Sequence, residues 1–133
     1  MNAVDTNVLV RLLTGDEPRQ EAAAYSLFAS GQIWIAKTVL LETGWVLRNL
    51  YGFDESAIRE AFTKLLGLKN VFAEDESALA FALGLTVHGI ELADAMHLSS
   101  RPHGAAFVSF DKDFVRRARR VGVPGVSEIS GKD

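Results

Sequence analysis

Short apolar runs alternate with longer amphipathic stretches along the chain, and the alternation predicts strands and helices in turn. The first run, Met1 to Val4, ends in the polar tip Asp5-Thr6-Asn7, and apolar residues resume at Val8-Leu9-Val10. This reads as a strand, a tip and a short helix over Val8 to Leu13. Thr14-Gly15-Asp16-Glu17-Pro18 breaks the chain and restarts it. Asp16 is the expected N-cap of a second helix that tolerates Pro18 in its first turn and stops at Ser30-Gly31. Ile33-Trp34-Ile35 predicts a second strand, and Lys37 to Leu50 a strong helix ending before Gly52. Asp54 caps the next helix, with Phe53 and Ile58 as a hydrophobic staple and Ile58, Ala61, Phe62, Leu65 and Leu66 as its apolar stripe.

Val71-Phe72 is short enough for a third strand, and Asp75 is placed to cap a helix that ends near His88-Gly89. Glu91 to Leu98 opens a further helix with Asp94 in its first turn. Ala105 to Ser109 has a buried-strand pattern and runs into Phe110-Asp111-Lys112-Asp113-Phe114. The last helix turns Phe114, Ala118 and Val121 inward and Arg116, Arg119 and Arg120 outward. Gly122 to Gly125 ends it, and Val126 to Ile129 predicts an edge strand. Strands alternating with helices imply an α/β fold, expected as three α/β/α layers about a central, mostly parallel sheet of four to five strands. The 133 residues, 48% hydrophobic, suit a single domain over 1–133.

Composition narrows the chemistry. Without cysteine, disulfides, thiolate metal sites and cysteine nucleophiles are excluded. No basic segment with a following apolar run predicts a signal peptide, no stretch is long enough to span a bilayer, and a cytoplasmic location is the expectation. A net charge of −3 argues against a general nucleic-acid coat, though not against an enzyme acting on nucleic acid. Neither the GxxxxGK[ST] loop nor GxGxxG is present.

The candidate chemistry is acidic. Asp5 follows an apolar strand, where ligands bind in open parallel sheets, yet Asp5 or Asn7 also suits a plain helix cap. Glu42 has Thr38, Val39, Trp45 and Val46 as helical neighbours, an apolar setting costly for an unpaired carboxylate. An edge position in water or an ion pair would equally explain it. Asp94 suits a first helical turn. His97, one turn on, is a base, a ligand, a donor to a ligand or a structural hydrogen-bond partner. Asp111 again follows a strand. Converging, four such acids would repel one another unless a cation neutralised them, and hard oxygen donors favour Mg²⁺ or Mn²⁺.

The chain resembles the PIN-domain ribonucleases, and within them the VapC-type toxins of bacterial toxin–antitoxin pairs. The resemblance rests on Val4-Asp5-Thr6-Asn7, on Glu42 within Leu40 to Leu47, on Asp94 within Leu92 to Leu98, and on Asp111 within Ser109 to Phe114. It implies that Asp5, Glu42, Asp94 and Asp111 bind the metal, with Asp113 as a further ligand or supporting acid. Thr6, Asn7 and Ser109 match supporting polar positions. It also implies an RNA substrate, commonly tRNA or rRNA, a small cognate antitoxin and a homodimer. Arg116, Arg117, Arg119 and Arg120, about one to two turns after Asp111, are candidates for RNA phosphates; their plain alternative is a solvated face. Two rivals stand beside this reading. One is a module of the same fold that binds RNA or protein without cutting. The other is an enzyme phosphorylated on Asp5, with Lys112 as the lysine near a strand end.

Overall fold

The computed structural model describes residues 1–131. In chain order the elements are β1 (Asn2–Ala3), α1 (Thr6–Thr14), α2 (Pro18–Ser30), β2 (Ile33–Ile35), α3 (Lys37–Tyr51), α4 (Glu55–Leu66), β3 (Val71–Ala73), α5 (Glu76–Thr86), α6 (Leu92–Ser99), β4 (Phe107–Ser109), α7 (Lys112–Arg120) and β5 (Val126–Glu128). The expected α/β alternation is what the chain adopts, and every strand pair is parallel. Among the described residues the five strands pair as a three-stranded sheet, β1-β2-β3, and a two-stranded sheet, β4-β5. The chain divides into two compact units, residues 1–77 and the part from Ala78 onward.

In the first unit, Asn2 pairs with Ile33 and Ile33 with Val71. Ile33 and Ile35 are fully buried, as the β-branched run predicts. α1 packs on α2 and α3 and contributes the buried Leu9 and Val10. The stripe of α4 buries Ile58, Phe62 and Leu65, and Asp54 caps it by accepting from the Ala57 N–H at 2.8 Å.

One cap differs from expectation. Asp16 does not cap α2; Glu17 does, accepting from the Arg19 N–H at 3.1 Å, while Asp16 is drawn into an ion pair with Arg11. Asp75 takes a left-handed backbone, φ 56°, and its carboxylate meets Lys37 at 3.6 Å. The N-terminus of α3, whose N-cap residue is Ala36, receives a carboxylate from a distant segment: the Lys37 N–H donates to Glu74 at 3.0 Å.

In the second unit, Phe107 pairs with Val126 and Ser109 with Glu128. Phe107 meets the ring of Phe114 edge-on, 5.6 Å between centroids, fastening β4 to α7. β4 is not the buried strand its composition suggested, for Val108 is 54% exposed. Successive strand side chains face opposite ways, so the face holding Phe107 covers the helix and the face holding Val108 does not.

Candidate active site

Each unit holds one strand-end aspartate by the same local device. Asp5 lies just past β1 and caps α1, its Oδ1 accepting from the Val8 N–H at 3.2 Å. Asp111 lies just past β4 and caps α7, its Oδ1 accepting from the Phe114 N–H at 3.1 Å. In both, the second carboxylate oxygen has no hydrogen-bond partner among the described residues. Capping and ligation are therefore compatible at these positions, and the cap fixes the carboxylate's orientation.

Thr6, in the first turn of α1, donates its hydroxyl hydrogen bond to Oε1 of Glu42 on α3. That brings Glu42 beside the Asp5 tip. Glu42 is exposed, so its apolar helical neighbours do not bury it; Trp45, one of them, is itself 59% exposed. Asn7 is exposed, and its side chain has no partner among the described residues.

In the second unit Asp94 is half-buried in the first turn of α6. Its pKa is raised, first by desolvation, then by the charges of Glu91 and Asp111; His97 opposes the shift. Like charges so placed are relieved by a cation. Glu91 was not singled out in the sequence, although it precedes Asp94 by three residues at a helix start, a spacing that puts two side chains together. The His97 ring is exposed and hydrogen-bonds to no side chain among the described residues, so the structural-partner role expected of it is not seen. Ser109 Oγ accepts from the Asp111 N–H at 3.0 Å, a supporting contact of the expected kind. Asp113 is paired with Arg116 at 2.6 Å, and Lys112 lies 3.9 Å from Glu128.

The structure thus joins Thr6 with Glu42, and Asp94 with Asp111 and Glu91. Among the described residues no three Asp, Glu, His or Cys side chains are grouped to hold a metal ion. Taken singly, the acids are oxygen donors of the kind that a hard divalent cation takes, and Asp94 is under like-charge repulsion from Glu91 and Asp111.

The four arginines of α7 differ in their engagements. Arg117 donates to the Gly89 carbonyl at 3.0 Å and Arg119 to that of Val126 at 3.0 Å. Arg116 holds Asp113, and the side chain of Arg120 has no partner among the described residues.

Sequence reasoning missed a polar tie in the first unit. Arg11 Nη1 donates to Asp16 Oδ1 at 3.1 Å and to the Tyr51 hydroxyl at 3.2 Å. Tyr51 donates to Asp16 Oδ2 at 2.5 Å, and that bond is the largest cause holding the Asp16 pKa below its ordinary value. This contribution to stability is present above the unfolded-state pKa and is lost as pH falls through the lowered folded-state value. Tyr51→Phe should therefore lower the thermal midpoint near about pH 7, with the deficit shrinking toward about pH 3. A deficit independent of pH would assign the loss to packing instead.

The PIN domain family matches residues 3–120, and the chain belongs to that family. PIN domains are typically nucleases, so the class is that of a hydrolase of nucleic acids. No curated protein matches the sequence. No helix among the described residues is long and apolar enough to cross a membrane.

Proposed function

We propose that this chain is a metal-dependent endoribonuclease, the toxin of a VapC-type toxin–antitoxin pair, acting on tRNA or rRNA. The observation that carries the reading is the repeated strand-end aspartate. Asp5 and Asp111 are each held by a helix N-terminus through one oxygen, with the other left for a ligand. Asp5, Glu42, Asp94 and Asp111 are the metal ligands in this reading. Thr6 orients Glu42, and Ser109 steadies the backbone of Asp111. A bound Mg²⁺ or Mn²⁺ would supply a lowered water pKa and charge neutralisation at the phosphate. Hydrolysis forms a water-oxygen to phosphorus bond and breaks the phosphorus–O3′ bond, leaving a 5′-phosphate and a 3′-hydroxyl. Asp113, paired with Arg116, is a supporting acid. A cognate antitoxin and a second copy of the chain are the partners this class implies.

In this reading Arg120, and Arg116 once released from Asp113, hold RNA phosphates, since Arg117 and Arg119 are engaged with backbone carbonyls. Replacing both with Ala should weaken RNA binding and reduce the slope of log affinity against log salt by about 0.7 for each arginine on single strands. An unchanged slope would return them to a solvated face. The reading as a whole is tested with purified protein and structured RNA. Cleavage in Mg²⁺ or Mn²⁺, lost on chelation, is expected. RNA that is bound but stays intact in both metals would identify a non-cleaving module.

A further inference from the structure

α1 and α2 flank an open cavity of about 400 Å³ that Asp5 itself lines. That volume lies within the range of small-molecule sites. Its walls combine apolar Val8, Ala23 and Leu27 with the polar side chains of Asn7, Arg11 and Gln20. We propose that this cavity holds one unstacked nucleobase of the RNA strand and prefers guanine. The inference rests on the nuclease reading and adds to it the site that selects the base.

The argument begins with what the cavity disfavours. The Arg11 charge is already matched by Asp16, 3.1 Å away. Asp5 adds negative charge at the same cavity. A phosphate would meet a neutralised arginine and an aspartate, whereas a neutral, flat base would meet an apolar wall and donors. Single-stranded RNA is read in this way, by bases splayed from the strand, packed against side chains and hydrogen-bonded at their edges.

The donors are fixed. Arg11 Nε donates to Gln20 Oε1 at 2.7 Å, which turns that oxygen toward the guanidinium and leaves the NH₂ group without a partner among the described residues. Arg11 Nη1 is committed to Asp16 and Tyr51, and Nη2 has no partner among the described residues. The Arg11–Gln20 pair therefore offers N–H groups, with the acceptor oxygens of Asp5 and Asn7 at the same cavity left to meet the N1–H and amino group that guanine also carries. Guanine presents two adjacent acceptors, O6 and N7, the edge that arginine reads best. Adenine and cytosine would each bring an amino donor against these donors. Asn7, with donors and an acceptor both unengaged, can pair with either kind of base.

The experiment is a titration of the wild-type chain with guanosine, uridine, adenosine or cytidine in chelator, followed by NMR of the Val8, Ala23 and Leu27 methyl groups and the Gln20 amide. Guanosine should shift these signals and bind about tenfold more tightly than adenosine, as a bidentate base contact implies. Gln20→Glu turns the free donor into an acceptor, and should reverse the ranking toward the amino-bearing bases. Gln20→Ala should level it. Gln20 is exposed, so neither change disturbs the core. A ranking unaltered by Gln20→Glu, or shifts that avoid the cavity, would overturn the assignment. Binding is read without metal or turnover, so failure to cleave RNA leaves this result standing. Cleavage without nucleoside binding at the cavity would defeat the base site alone.

Discussion

Asp94→Asn should lower RNA cleavage by at least about 100-fold while raising the melting temperature of the metal-free protein. The activity estimate takes the upper end of the loss seen when a residue that merely supports a metal ligand is removed; a ligand should cost no less. The stability gain follows from the surroundings of Asp94. Desolvation, Glu91 and Asp111 all raise its pKa, so the folded protein binds that proton more tightly than the unfolded chain does. The stabilising contribution is full below the unfolded-state pKa and is lost as pH rises through the raised folded-state value. At neutral pH the ionised carboxylate is a burden that asparagine lacks. Three scans test this. The variant should melt above wild type at neutral pH, the difference should close as pH falls through the carboxylate range, and Mg²⁺ should raise the midpoint of wild type but not of the variant. A variant that melts lower than wild type at every pH would show that Asp94 is a structural anchor.

Leu9→Ala carries the largest expected stability loss, about 2–5 kcal/mol. Leu9 is wholly buried in the helix that starts at the Asp5 tip, and truncation removes its contacts and leaves a hole between packed helices. Against a total stability of about 5–15 kcal/mol, that is enough to unfold a large share of molecules under mild denaturant. Urea titration should show a lower midpoint at unchanged slope, with Leu9→Met costing less than about 1.5 kcal/mol. Leu50→Ala, on the same unit but 68% exposed, should stay within about 0.5 kcal/mol of wild type. A Leu9→Ala loss as small as that of Leu50→Ala would mean the helices close over the gap.

Much of the fold was legible because its signals are local. The apolar runs located β2 and β3, and the terminal glycines located the ends of α1 and α3, where Gly15 and Gly52 take the positive φ that side chains avoid. What was hidden depends on partners far away in sequence. Asp16 looked like a cap until Tyr51, from another helix, offered a better bond. Glu74 supplies the carboxylate at the start of α3 across 37 positions. Ala105 to Ser109 read as buried because composition reports apolar content and not how many neighbours a strand has. At the candidate site, the strand-end aspartates were visible as residues. The sequence could not reveal that they also cap helices, nor that Arg11 and Gln20 would fix donors in the cavity lined by Asp5.

The helix caps that Asp5 and Asp111 supply constrain how this protein can change over generations. Alanine at either position discards the carboxylate and also uncaps a helix, a loss of about 1 kcal/mol. Glutamate keeps the charge but carries it on a longer arm that no longer matches the cap geometry. Asparagine retains the cap, on an arm of the same length, while surrendering the charge. A lineage relieved of the need to cut nucleic acid would thus find its easiest exit in a single step from aspartate to asparagine. It would keep a sound scaffold free for other work.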